Sequence, residues 1–459
     1  MSFTIKCLDC GHSAPYFPNS VNCPRCNSQW REAEYDLDQI AGSFVQQLGG
    51  RPFDLWRYRE LLPVRNPILS LRLGEGGTPL TQAVNLGMML GCPNLFIKDE
   101  RQGPTGSFKD RQASVTIAAL KEAGITEMVA ASTGNVAISY SAYASRASIK
   151  LWAFVTSLVP ATKMREIALY GSQVIKVTGS YDQVKQMAAE FARQRSLYLD
   201  MGPRTITSIE AMKTIAFEIA EQLAGLLGPP VQANGKPIAW RTPDWYVQSI
   251  SGGMGPLGVH KGFRELRQMG ITDRVPALAL IQSEGCAPMV ESWKQGLETV
   301  VPVTKPQTHI ETLATGDPGR AYTFLRKHVD ETNGVFESVS DEEAFRAMHV
   351  LAKMEGISAE PAAAVAFAGL FKLIRAGVIK PTDLVVVNCT GHTMPAEQFI
   401  LGDNWSRNIV LPREQTPQDG LLAALNNVAP DRFPRVAIVD DSVDARRLIR
   451  RILQSQGNF

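Results

Sequence analysis

The sequence lacks an excess of charge of either sign: 47 lysines and arginines stand against 45 aspartates and glutamates over 459 residues, a formal net charge of +2. That balance gives no footing for nucleic acid or for an anionic membrane, both of which call for clustered positive charge. No apolar run approaches the roughly 20 residues needed to cross a bilayer. The opening stretch "MSFTIKCLDC" has no apolar core of the secretory type, so the expected location is the cytoplasm. There is no internal repeat and no low-complexity tract. With 44% hydrophobic and 20% charged residues, the chain reads as an ordinary globular protein, long enough for two or three domains.

Cysteine is also scarce, but its placement is uneven. Of seven cysteines, four fall within the first 26 residues, as Cys7-x-x-Cys10 and Cys23-x-x-Cys26. This is the spacing of a four-thiolate zinc site, and in a reducing compartment the thiols would ligate a metal and not pair as disulfides. Four sulfur ligands leave no open position, so the expected metal is structural. The alternative is a chance meeting of free thiols. Cys92, Cys286 and Cys389 stand alone in apolar surroundings and read as small core residues.

From Gly76 onward, short β-branched runs alternate with helical stretches. "NLFIKDE", "EMVAAST", "KLWAFV", "SQVIKVTG", "DWYVQSI", "ALALIQSEG" and "DLVVVNCTG" read as strands, with "KDRQASVTIAALKEAG" and "NVAISYSAYASRA" among the intervening helices. Alternation of this kind predicts parallel sheets covered by helices on both faces. "REAEYDLDQI", just after the cysteines, reads as a polar helix.

The stretch "GPTGSFKDR", Gly103 to Arg111, sets Lys109 between a large apolar ring and an aspartate. One reading is a turn and helix start with the lysine in water. The other is a lysine held out of water so that its amine is nucleophilic and can form a Schiff base with a carbonyl cofactor. Three further segments follow strands. "ASTGN" offers Ser132, Thr133, Gly134 and Asn135 at a helix start, either as an anion site or as a simple cap. "SISGGMGPLG" includes Ser251, Gly252, Gly253, Met254 and Gly255, whose backbone can approach a phosphate; it lacks the signatures of a nucleotide loop. "CTGHTMP" puts Thr390 at the carboxyl end of a strand, where open parallel sheets bind ligands. A lysine, a phosphate cradle, a carboxylate loop and a terminal hydroxyl together describe a pyridoxal phosphate site.

The order of "LWRYRELLP", "GEGGTPL", "IKDE", "TGSFKDR", "ASTGN", "EAMKTIAFEI", "QSEGCAPMV", "EGISAEP" and "TGH" behind a four-cysteine knuckle resembles the threonine synthases of the tryptophan synthase β-like group. The resemblance runs from Cys7 to about Gly402. It implies an α/β chain of the second pyridoxal phosphate fold type, with two subdomains around a cleft and a homodimeric assembly. It also implies roles. Lys109 would carry the cofactor and move protons, Asn135 would contact the ring hydroxyl, Ser251 to Gly255 would hold the phosphate, and Thr390 would face the pyridine nitrogen. Ser132, Thr133 and Gly134 would bind substrate, and Cys7, Cys10, Cys23 and Cys26 would hold zinc. The implied reaction converts O-phospho-L-homoserine and water to L-threonine and phosphate. Other eliminations or β-replacements (a cysteate synthase, a serine or threonine dehydratase) and a cofactor-binding sensor are the alternatives.

One stretch departs from the family. Where threonine synthases carry an "NSxNPxRxEGQKT"-like segment, this chain reads "DMGPRTITSIEAMKT", Asp200 to Thr214. Glu210, Lys213 and Thr214 match, while the asparagines and the arginine do not. Arg204 and Lys163 are the candidates to supply the missing positive charge. The expected division is a zinc-ribbon module at 1–32, a catalytic domain at 33–410, a linker at 411–434 and, at 435–459, a truncated fragment. In that fragment "RVAIVDDS" and a following helix resemble the start of a response-regulator receiver domain, with Asp440 and Asp441 as its acidic pair.

Overall fold

The computed structural model describes residues 3–67, 71–132, 134–157, 159–230 and 238–392, and the backbone of 407–410. Thr133, the expected linker and the receiver-like fragment lie outside the described residues. The strands in chain order are β1 (Phe3–Cys7), β2 (Ser13–Ala14), β3 (Arg31–Tyr35), β4 (Leu80–Gln82), β5 (Leu95–Asp99), β6 (Glu127–Ser132), β7 (Lys150–Thr156), β8 (Gln173–Thr178), β9 (Tyr198–Leu199), β10 (Trp245–Ser249), β11 (Ala277–Ser283), β12 (Val335–Val339), β13 (Val385–Cys389) and β14 (Arg407–Val410).

They form three sheets. A small antiparallel sheet, β2-β1-β3, carries the cysteines; a six-stranded sheet runs β12-β11-β10-β13-β5-β4; a five-stranded sheet runs β14-β8-β7-β6-β9. The five-stranded sheet is parallel throughout. The six-stranded one is parallel except at its edge, where β4 runs against β5. β5, β10 and β13 are buried at every residue, as strands covered on both faces must be. The expected strands and helices are therefore present, and the fold is the α/β arrangement with parallel sheets. Among the described residues no helix is long and apolar enough to cross a membrane.

One expectation is corrected. "REAEYDLDQI" is not one helix: Arg31–Tyr35 is β3, paired with β1 in the register Ile5 to Ala33, and only Leu37–Ala41 is helical, capped by Asp36. Pairing with a neighbouring strand overrides the helix preference of glutamate and alanine. The small sheet accordingly extends to Tyr35.

Two buried ion clusters lie under the cleft. In the first, Arg111 bonds Glu100 at 2.7 Å and Glu218 at 2.6 Å, while Lys98 bonds Glu218 at 2.7 Å. In the second, Lys213 bonds Glu210 at 2.6 Å and Glu265 at 2.9 Å, with Lys261 joining both carboxylates. Each cluster sets two cations against two anions, so neither leaves net charge in the interior. Tyr35 donates to Glu210 at 3.0 Å and Lys261 donates to the carbonyl of Ala33 at 2.8 Å, which fastens β3 to the catalytic body.

Burial alone would raise the carboxyl of Glu218, but Arg111 and Lys98 outweigh it and hold the group down to about 2. Its stabilising effect is thus present above the ordinary carboxyl range and is lost as the pH falls toward that value. Glu218→Ala removes the only ion-pair partner of buried Lys98 among the described residues and leaves Arg111 with Glu100 alone. One uncompensated positive charge then stands in the interior, which should cost about 3–5 kcal/mol of unfolding free energy. Chemical denaturation at neutral pH measures this, and a loss below about 1 kcal/mol would contradict the cluster's assigned role.

Candidate active site

The turn before Lys109 is wound around a carboxylate. Asp110 accepts from the amide of Thr105 at 2.9 Å and from its hydroxyl at 2.6 Å, and Gly106 closes a turn on the carbonyl of Gly103 at 2.9 Å. Burial pushes the carboxyl of Asp110 up to about 6, against the lowering effect of the Thr105 bonds. The turn then pairs with the segment after β13. Phe108 donates its amide to the carbonyl of Thr390 at 3.0 Å, His392 donates to Gly106 at 2.9 Å, and Ser107 bridges Gly391. Lys109 opens the helix Lys109–Glu122. Its amine lies 4.1 Å from the centroid of the Phe108 ring.

That amine faces a cavity of about 470 Å³, whose walls include Asn135, Ser251 to Gly255 and Thr390. Burial drives the Lys109 ammonium down to about 8, partly opposed by the attraction of Asp200 and Glu360. Lys109 is half-buried, at the cavity wall and against the Phe108 ring. Asp200 was not singled out from the sequence as a neighbour of the lysine. A lone aspartate at the end of a two-residue strand carries no signal there; its carboxyl is raised by burial.

The loop after β10 turns through Gly253, at φ +82°, into the helix Met254–Gln268. A Cβ at Gly253 would lie 2.6 Å from the side chain of Leu325, so both its conformation and its space require glycine. The helix start lines the cavity, and the amides of a first helical turn, which have no partner within the helix, make a ready seat for a phosphate. Ser251 and Thr315 share a hydroxyl–hydroxyl bond beside it.

At the start of the helix Asn135–Ala147 the expected residues separate. Asn135 faces the cavity, fixed from both ends: Lys163 donates to its carbonyl oxygen at 2.6 Å and it donates to Glu360 at 2.7 Å. Lys163 also bonds Glu360 at 2.9 Å. Ser132 and Gly134 do not line the cavity. The Ser132 hydroxyl accepts from the amides of Gly134 and Ala137 at 2.9 and 3.1 Å, the capping arrangement that was the plainer reading. Gly134, at φ +134°, sits where a Cβ would meet the Lys163 chain at 2.8 Å. Glu360 was legible only as part of "EGISAEP". Glu210, Lys213 and Thr214, which match the family stretch, lie in the ion clusters and not at the cavity, with the Thr214 hydroxyl accepting from Arg111 at 2.9 Å.

The four N-terminal cysteines do converge. Their sulfurs lie within 4.8 Å of one another, with Cys7 to Cys26 at 3.5 Å and Cys10 to Cys23 at 3.7 Å. A tetrahedral site with metal–sulfur bonds of about 2.3 Å needs sulfurs about 3.8 Å apart, so the cluster can hold such an ion. The two knuckles share one geometry: Gly11 donates to the carbonyl of Cys7 at 3.0 Å and Asn27 to that of Cys23 at 2.9 Å. Cys92, Cys286 and Cys389 are buried, as expected of core residues.

Residues 71–391 match the family described as "Pyridoxal-phosphate dependent enzyme". The chain belongs to that family. Among its relatives are the threonine synthase of Methanocaldococcus jannaschii, 33% identical over 84% of this chain and 91% of its own, and that of Methanosarcina acetivorans, 32% identical over 87% and 94%. The solved fold of maize serine racemase superposes with a TM-score of 0.58 at 20% identity, covering 69% of this chain and 88% of that one. Threonine deaminase isoform 2 from Solanum lycopersicum gives 0.56 at 20%, covering 69% and 80%. These neighbours fix the fold as the second pyridoxal phosphate type. The chain is therefore a pyridoxal-phosphate dependent lyase, homologous to threonine synthases. The glycine turn at Gly253, the held amide of Asn135 and the amine of Lys109 line one cavity, and this set of groups fits such a cofactor.

An amine titrating near 8 is largely neutral, and hence nucleophilic, above that pH. Covalent uptake of added pyridoxal phosphate by protein stripped of cofactor should speed up with pH to about 8 and then level off. A rate still climbing about tenfold per unit near pH 9, as for an ordinary lysine at about 10.4, would rule out the desolvated amine.

Proposed function

We propose that this chain is a threonine synthase, converting O-phospho-L-homoserine and water into L-threonine and phosphate. The observation that carries the reading is Lys109, the desolvated amine at the head of a cavity that also presents the Gly253 cradle and Thr390. The relatives support the substrate, since two named threonine synthases match over more than nine-tenths of their length.

In this reading Ser251 to Gly255 and the following helix start seat the cofactor's phosphate, Asn135 meets its ring hydroxyl, and Thr390 faces its pyridine nitrogen. When bound, pyridoxal phosphate supplies an electron sink for charge developing on the substrate's carbons. Lys109 takes a proton from the α carbon and then from the β carbon. As phosphate leaves the γ carbon, protons return to the γ and α carbons, water adds its hydroxyl at the β carbon, and the water's other proton leaves with the phosphate. Thr390 suits this chemistry because a neutral hydroxyl does not hold a full positive charge on the ring as a carboxylate would. The sink is then moderate, which favours elimination and replacement over transamination. Lys163 and Glu360 act through Asn135, which they orient. The altered stretch from Asp200 keeps a second reading in play, elimination from a smaller phosphorylated or hydroxylated amino acid.

The four-cysteine cluster is assigned a zinc ion, bound by Cys7, Cys10, Cys23 and Cys26, with no open position for chemistry. Metal analysis should find about one zinc per chain. Cys23→Ser with Cys26→Ser should remove it and lower the melting temperature. Full zinc content in that double variant would refute the site.

Lys109→Ala should remain folded, abolish turnover and lose the reducible link to the cofactor. Phosphate release and L-threonine formation from O-phospho-L-homoserine, compared with release from O-phosphoserine, decide the substrate. Deamination of L-threonine without any synthesis of it would sink the proposal.

A further inference from the structure

The missing arginine of the substrate stretch leaves a question that the cleft mouth answers. Lys163 is ruled out as its replacement, since its ammonium is spent on Asn135 and Glu360 at 2.6 and 2.9 Å. Three other cations line the mouth: Lys185, Arg204 and Arg320. Lys185 is paired with Asp182 at 2.6 Å. Arg320 gives both terminal nitrogens to Asp9, at 2.9 and 2.6 Å. Arg204 alone of the three has no carboxylate in contact among the described residues; its Nη1 donates to the neutral amide oxygen of Gln29 at 2.6 Å. Its remaining donors are unused among the described residues; Asp200 attracts it without an ion-pair contact, and it is exposed to solvent.

The residues that hold these arginines come from the cysteine module. Asp9 lies between Cys7 and Cys10, and Gln29 lies three residues beyond Cys26. Trp30 itself lines the cavity, packed on the Phe324 ring at 5.1 Å with the Arg320 guanidinium 5.9 Å from its own ring. Each knuckle thus holds one cleft-mouth arginine, across 311 and 175 residues of chain. The two contacts differ in consequence. The carboxylate of Asp9 neutralises Arg320 and makes it a latch. The amide of Gln29 orients Arg204 without neutralising it.

We propose that the four-cysteine module is a substrate-recognition element: it closes the cleft mouth with Trp30 and, through Gln29, aims Arg204 at the phosphate-type dianion of the substrate. This rests on the phosphorylated substrate proposed above. A guanidinium fork matches such a group through paired charge-assisted hydrogen bonds. The module is then more than a stabiliser, because whatever holds the knuckles in shape also sets the affinity of the anion seat.

The test uses the cofactor-loaded enzyme, whose cradle is already filled, and inorganic phosphate as the probe, with binding measured by calorimetry. Arg204→Met should weaken phosphate about tenfold or more, the worth of a lost hydrogen bond to a charged group, and raise KM for the phosphorylated substrate in step. The cofactor's absorbance spectrum should be unchanged. Gln29→Glu is the sharper variant. It puts a carboxylate on Arg204, so a merely structural contact would be kept or strengthened, whereas the anion seat should lose phosphate affinity. Phosphate bound as tightly as in the wild type by either variant overturns the inference. Arg204-dependent phosphate binding without turnover of O-phospho-L-homoserine would overturn the substrate assignment and leave the anion seat standing.

Discussion

The cleft depends on one short pairing, in which the Gly106–Phe108 turn is zipped to the Thr390–His392 segment. β5 and β13 are adjacent parallel strands, so their carboxyl ends emerge side by side. The chain leaving β5 must turn at once to begin the helix at Lys109, and the chain leaving β13 passes over that turn. Three backbone contacts hold the two segments together. The amine of Lys109 and the residue Thr390, 281 positions apart in sequence, therefore reach one cavity through the backbone pairing of their segments.

Electrostatics keeps that arrangement workable. The interior carries several charged groups, but they are gathered into two clusters of matched sign, which limits the cost of burying them. The groups at the cavity are not so matched. Lys109 is desolvated beside Phe108, with Asp200 and Glu360 attracting it only in part. Such a group is uncomfortable as an ion, and that discomfort is what makes an amine reactive near neutral pH. Asn135 shows the opposite treatment: an ammonium and a carboxylate grip its two ends and leave it a single orientation.

The same fold serves proteins named as a racemase, a deaminase and synthases. The family match settles the cofactor class, while a shared fold leaves the choice of substrate to the residues that line the cleft. In this chain those include residues from outside the matched span of 71–391, since Trp30 belongs to the N-terminal module. The fastening of β3 by Tyr35 and Lys261 gives that module a fixed seat on the catalytic body.

How much could be read beforehand follows from the range of the physics involved. Strand and helix alternation, the paired cysteines, the tight turn before Lys109 and the glycine-rich loop are local patterns, and each appeared where its sequence placed it. "REAEYDLDQI" misled because pairing with β1, and not local preference, decides its conformation. Ser132 was ambiguous because a hydroxyl at a helix start caps or binds according to which way it points. Asp200, Glu360 and Lys163 gained meaning only through contacts with residues far along the chain. Local sequence by itself determined most of the elements, the paired spacing of the four cysteines and the turn that precedes Lys109, since these depend on neighbours within a few positions. Tertiary structure alone decided which charges are spent and which are left over, because the partner of a buried or cleft-lining charge is chosen by packing and not by distance along the chain.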